Sequence, residues 1–134
     1  MYQCYQWKLL YRMSLDGASL STLQARAKNH PHTLLVVQDS QGAIFGALLT
    51  EALRVAERDK YYGNGTMGVW SLASGVMRYY PWSYHNNYFV VSSKELLGIG
   101  GGGHFAIFLV NILSPFCHII WCNMSLCHFN RMQN

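Results

Sequence analysis

Charge is the scarcest commodity in this sequence. Of its 134 residues, ten are Lys or Arg and six are Asp or Glu, about half the charged share of an ordinary soluble domain. The acids are Asp16, Asp39, Glu51, Glu57, Asp59 and Glu95, with none after position 95. Each reads as a turn or surface charge, and no Ser, His and acid trio stands in a motif context. The cations Lys8, Arg12, Arg26, Lys28, Arg54, Arg58, Lys60, Arg78, Lys94 and Arg131 are scattered. No dense basic run results, so a nucleic-acid patch is not expected. The first residues, Met1-Tyr-Gln-Cys-Tyr-Gln, have neither the basic nor the apolar region of a secretory leader. The expectation is therefore a reducing cytoplasmic or nuclear setting, in which thiols are favoured over disulfides for the four cysteines. There Asn64-Gly65-Thr66 serves as turn residues and not as a glycosylation acceptor.

What is abundant is apolar bulk. Hydrophobic residues make up 51% of the chain, with four Trp, nine Tyr and six Phe. A chain of this length is one domain able to bury roughly two-thirds of its unfolded surface. Five of the twelve glycines fall in Gly98-Ile-Gly100-Gly101-Gly102-Gly103. Such a run is kept for close backbone approach, for positive φ, or for a ligand against the main chain. Gly98, Gly100 and Gly103 satisfy G-x-G-x-x-G, but Phe105-Ala-Ile-Phe-Leu-Val110 follows. That reads as a buried strand where the dinucleotide fingerprint requires a helix. No acid lies about 20 residues on, and no Lys completes a phosphate loop. A structural bend entering a core strand is the expected role, and no cofactor is expected.

Along the chain, 6–12 reads as a strand buried more on one face, ended by an Asp16-Gly17 turn. Ser19 or Ser21 caps a short helix to about Asn29, with Leu20, Leu23 and Ala27 on one face. His30-Pro31-His32 stops it, and these histidines read as exposed loop residues, not metal ligands. Strands at 33–37 and 43–49 form a hairpin across Asp39-Ser-Gln-Gly42. Glu51 to Lys60 reads as a solvated excursion, and 61–65 as a turn. Strands at 67–72, 76–80 and 88–92 follow, with turn residues at Ser74-Gly75 and His85-Asn-Asn87. Short strands at this spacing predict a mostly β protein with short helices, an antiparallel two-sheet β-sandwich.

Several pieces together resemble the TLDc domain family. They are Trp7-x-Leu9-Leu10-Tyr11, Asp16-Gly17-x-Ser19-Leu20, Thr33-Leu-Leu-Val36 with Asp39 and Gly42, Phe45-Gly46-Ala47, Tyr62-Gly63-x-Gly65, Asn87-Tyr88-Phe89, and the glycine run with His104-Phe105-Ala106. The resemblance covers about residues 7 to 109. It implies a β-sandwich with a few short helices, a role in oxidative-stress resistance, and binding to the vacuolar-type proton pump through protein contacts. It carries no agreed active site, so no catalytic residue is assigned. Glu51 matches a family glutamate, for which a structural or partner-facing role is favoured over catalysis. The same two roles are the candidates for Gly100, Gly101, Gly102, Gly103 and His104. The expected function is a non-enzymatic interaction domain, placed peripherally at organelle membranes through a partner. The alternative is an enzyme of unknown chemistry at the Gly98–His104 loop, with His104 as acid or base.

The ends depart from the family. The helical segment expected before Trp7 is not recognisable, and residues 111–134 do not resemble the acidic segment and closing strand. They read Asn-Ile-Leu-Ser-Pro-Phe-Cys-His-Ile-Ile-Trp-Cys-Asn-Met-Ser-Leu-Cys-His-Phe-Asn-Arg-Met-Gln-Asn. The expectation is a partial TLDc-like domain over 1–110, incomplete at its C-terminus. The tail over 111–134 is then atypical, non-native or disordered, as from a truncated gene model or isoform. Cys117, His118, Cys122, Cys127 and His128 do not have a trusted zinc spacing. The uncharged stretch 105–122 is interrupted by Asn111, Ser114, Pro115 and His118, which argues against a membrane span.

Overall fold

The computed structural model describes residues 5–56, 60–81, 83, 86–101, 105–110 and 117–126. Its organisation starts from the period-two burial of the first hairpin. In β2 (Thr33–Gln38) every other residue is buried, beginning with Thr33, Leu35 and Val37. The side chains of a strand alternate between faces, so this strand lays one face on a core. It pairs antiparallel with β3 (Ile44–Leu49), Thr33 opposite Leu49 and Gln38 opposite Ile44. Asp39 builds the connection, its carboxylate accepting from the N–H groups of Gln41 and Ala43, both at 2.9 Å. β3 continues onto β5 (Gly68–Ala73), which turns at Ser74-Gly75, both at positive φ, into β6 (Val76–Pro81).

On the other side of β2 the sheet is completed from the two ends of the chain. β10 (His118–Leu126) lies between β2 and β1 (Tyr5–Arg12), antiparallel to both. The order β1-β10-β2-β3-β5-β6 makes six strands. The expectation that no closing strand follows Leu109 is thereby corrected. Ile119 and Trp121 are buried in the core, so this strand turns alternate residues inward. A register shift between Leu9 and Tyr11 explains why consecutive Leu10 and Tyr11 are both buried, while Trp7 and Leu9 are exposed.

The second sheet has four strands in the order β4-β7-β8-β9, comprising β4 (Tyr61–Tyr62), β7 (Val90–Ser92), β8 (Leu96–Ile99) and β9 (Ile107–Val110). Val90, Leu97, Ile99, Ile107 and Leu109 join Leu35, Ala47, Leu49, Ile119 and Trp121 of the larger sheet in one core cluster. Two antiparallel sheets sharing one core match the expected sandwich. β4 and β8 stand where a turn and the start of the glycine run were expected. β9 is not the wholly buried strand read from its apolar run. It sits at a sheet edge, with Ile107 and Leu109 inward and Phe108 and Val110 exposed.

Two short helices are found among the described residues. α1 (Met13–Asp16) occupies the first expected turn. α2 (Leu20–Ala27) begins at Ser19, whose side chain accepts from the Thr22 N–H, and buries Leu20, Leu23 and Ala27 as expected. The next residues it fixes are polar. Buried Gln24 donates from Nε2 to Ser92 Oγ at 3.0 Å and to the Ser93 carbonyl at 2.8 Å. A buried amide left without partners would cost about 1–3 kcal/mol, so this pair ties α2 to the end of β7.

Candidate functional site

The glycine turn closes the β8–β9 hairpin and is built from main-chain bonds. The Gly100 N–H donates to the Phe89 carbonyl at 2.7 Å and the Gly101 N–H to the Tyr88 carbonyl at 2.8 Å. Both donors are therefore consumed by the segment leading into β7 and not presented to an anion. Gly100 has φ +73°, in the left-handed region that a side chain rarely tolerates. Gly98 is needed for space, since a Cβ there would stand 2.5 Å from the Phe105 ring. Of the candidate residues, Gly102, Gly103 and His104 lie outside the described residues, as do Cys127 and His128.

An aromatic ladder backs the turn. The Tyr61 ring centroid lies 4.7 Å from that of Tyr88 and 6.4 Å from that of Phe105, and Phe105 continues to Phe108 at 5.4 Å. Offset aromatic contacts of this kind add about 0.5–1.5 kcal/mol each beyond area burial. Sequence reading singled out the glycines and not these rings. The available signal was the spacing of Phe105 and Phe108 beside Tyr61-Tyr62. A pocket of about 200 Å³ opens beside the turn, lined by Met67, Tyr80, Asn86, Tyr88, Phe89 and the Gly100–Gly101 main chain. It is below the ~300–1,000 Å³ of most small-molecule sites.

Glu51 lies away from the glycine turn, on the segment after β3. Its Oε2 accepts from Asn64 Nδ2 at 2.8 Å and its Oε1 faces the Arg54 guanidinium at 3.5 Å. Asn64 Oδ1 in turn accepts from the Thr66 N–H at 2.9 Å. Glu51 thus fastens the segment after β3 to the turn before β5. Tyr62 holds the same segment from another side, its hydroxyl accepting from the Arg54 N–H at 2.9 Å. Burial pushes the Tyr62 phenol above its ordinary value despite that bond and the Arg54 charge, both of which act to lower it. The expected solvated excursion at 51–60 is corrected for 51–56. Leu53 is 3% exposed and Ala56 donates to the Ser92 carbonyl at 2.9 Å.

Burial pushes the pKa of the Cys117 and Cys122 thiols up, which disfavours the reactive thiolate. Among the described residues no three His, Cys, Asp or Glu side chains converge to hold a metal ion. No helix among them is long and apolar enough to cross a membrane.

Known proteins resemble this arrangement over most of its length. Oxidation resistance protein 1 of Eremothecium gossypii is 31% identical over 133 residues, covering 92% of this chain and 51% of that protein. Human oxidation resistance protein 1 is 35% identical over 107 residues, 78% of this chain and 12% of that protein. Human nuclear receptor coactivator 7 is 36% identical over 111 residues, 80% of this chain and 11% of that protein. The chain thus spans about half the length of the fungal relative and far less of the human ones. The TLDc domain model matches residues 1–117, from β1 up to the start of β10, and the chain belongs to the TLDc domain family.

Proposed function

We propose that this chain is a non-enzymatic TLDc interaction domain. It serves oxidative-stress resistance by binding protein partners, with the vacuolar-type proton pump as principal partner. The names of the relatives support the first half, since two of those matched are oxidation resistance proteins. The observation that carries the binding role is β6. It is the last strand of the six-stranded sheet and is exposed at every position, including Val76, Met77, Tyr79 and Tyr80. Leu72 extends the patch onto β5. A monomer does not benefit from an edge strand rich in exposed apolar side chains, because it invites pairing with other chains. A partner that covers it gains both apolar burial and main-chain hydrogen bonds.

The test is co-sedimentation of the purified chain with pump-bearing vacuolar membranes. The wild-type chain is expected to sediment with them saturably, V76D/M77D to lose about tenfold in affinity, and H104A to bind as wild type. Absence of saturable binding, or equal binding by V76D/M77D, contradicts the reading. Loss confined to H104A shifts weight to the Gly98–His104 loop.

A further inference from the structure

A groove of about 690 Å³ runs between α2 and the segment after β3. Three cations from remote parts of the sequence line it: Lys28 just past the helix, Arg54, and Lys94 in the β7–β8 turn. Among its described lining residues there is no carboxylate, and Ala25, Ala52 and Val55 supply an apolar surface. We propose that this groove is a docking site for an acidic, leucine-containing peptide segment of a partner protein. It is separate from the exposed β6 strand.

The three walls are fixed to one another around Ser92 and Ser93. Gln24 ties α2 to Ser92 Oγ and the Ser93 carbonyl, and Ala56 ties the Arg54 segment to the Ser92 carbonyl. The Ser93 N–H donates to the Leu96 carbonyl at 2.9 Å and closes the turn bearing Lys94. Less ordering is then needed when a ligand arrives. Of the described acids nearby, Glu51 pairs with the groove's own Arg54, which leaves Lys28 and Lys94 as the lining cations that meet no described carboxylate. Glu51 is bonded to Asn64 and faces Arg54 at 3.5 Å, and Glu95 accepts from Ser93 Oγ at 3.3 Å. Arg54 also lies over the Tyr62 ring at 4.5 Å, which fixes its direction. The contrast with Arg26 of α2 is informative. Arg26 meets Asp16 at 3.6 Å, whereas Lys28 and Lys94 meet no carboxylate among the described residues.

Charge and shape together choose the occupant. Lys28 and Lys94, with the Glu51-paired Arg54 between them in the lining, set positive charge around an apolar floor and suit several carboxylates interspersed with aliphatic side chains. A nucleic acid requires a denser basic stripe. An anionic membrane favours basic residues beside a convex apolar face, not a groove.

The test is fluorescence anisotropy of the full chain with a labelled peptide of interspersed glutamate and leucine, beside its glutamine analogue. Wild type should bind the glutamate peptide, more weakly as salt is raised, and not the glutamine analogue. K28E/K94E, with an unchanged melting temperature, should bind about tenfold more weakly. Both lysines are exposed. Should that variant lose its cooperative melt, K28Q/K94Q decides, with a loss of about threefold expected. Equal binding of the glutamine analogue, equal binding by the variants, or no binding by wild type overturns the proposal. Binding of phosphatidylserine vesicles without binding of the peptide overturns it in favour of a lipid surface. Pump co-sedimentation run in parallel bears on the β6 reading alone, so failure of one reading leaves the other measurable.

Discussion

Two strands from the last third of the chain, β9 and β10, both carry apolar runs and hold opposite positions. β9, Ile107–Val110, follows the glycine turn and lies at the edge of the four-stranded sheet, with Phe108 49% exposed. β10, His118–Leu126, lies between two neighbours in the six-stranded sheet, with Trp121 fully buried. An apolar run thus does not by itself distinguish a central strand from an edge. What separates the two is long-range pairing: β10 bonds to β1, more than 100 residues earlier, and to β2. β9 bonds to β8 across a short turn.

Truncation should expose this contrast most strongly. Trp121→Ala removes a wholly buried ring and is expected to destabilise the chain by about 3–5 kcal/mol, read as a shift in urea midpoint. Phe108→Ala, at the half-exposed edge, should cost about 1 kcal/mol or less. Equal effects would abolish the distinction between the strands.

The next largest effect lies in what holds the surrounding elements together. Gln24→Ala leaves the Ser92–Ser93 end of β7 without its amide donor, and a loss of about 1–3 kcal/mol is expected. At the glycine turn, Gly100→Val forces a β-branched residue to φ +73°, for about 1–3 kcal/mol. Gly101→Val should be milder, because its Cβ meets the tip of the Tyr61 side chain and its φ is not positive. A larger loss at Gly101 than at Gly100 would place the constraint in side-chain packing and not in the backbone.

Much of the fold was legible because local chemistry and burial agree. Ser19 caps a helix whose Leu20, Leu23 and Ala27 share a buried face. Asp39 and Gly42 turn one hairpin, and Ser74-Gly75 the other. β10 was not legible in this way. Ile119, Ile120, Trp121 and Cys122 read as a run, and the alternation emerges only when β1 and β2 flank it. β4 has two residues, too few for any period. The candidate site was legible in part. The glycine run announced a constrained turn, yet the main-chain acceptors at Tyr88 and Phe89 that use its N–H groups belong to the preceding segment. The cationic groove was invisible for a related reason: Lys28, Arg54 and Lys94 are each unremarkable in sequence, and only α2, β7 and the segment after β3 bring them together.

The smallest expected effect is chemical. Burial raises the Cys122 thiol above its ordinary pKa, so its thiolate fraction at pH 7.5 is lower than that of a free peptide cysteine. Alkylation by iodoacetamide should be correspondingly slower in the native chain and reach the free rate in urea. A native rate equal to the free rate would place Cys122 outside the sheet.

The placement of β10 between β1 and β2 is tested most directly by amide hydrogen exchange on the intact chain, comparing 118–126 with 107–110. Central pairing on both sides should make exchange in 118–126 the slower of the two and close to the global opening rate. Exchange of 118–126 at the rate of an unstructured peptide, with 107–110 protected, would contradict it and return residues after Leu109 to the status of a tail.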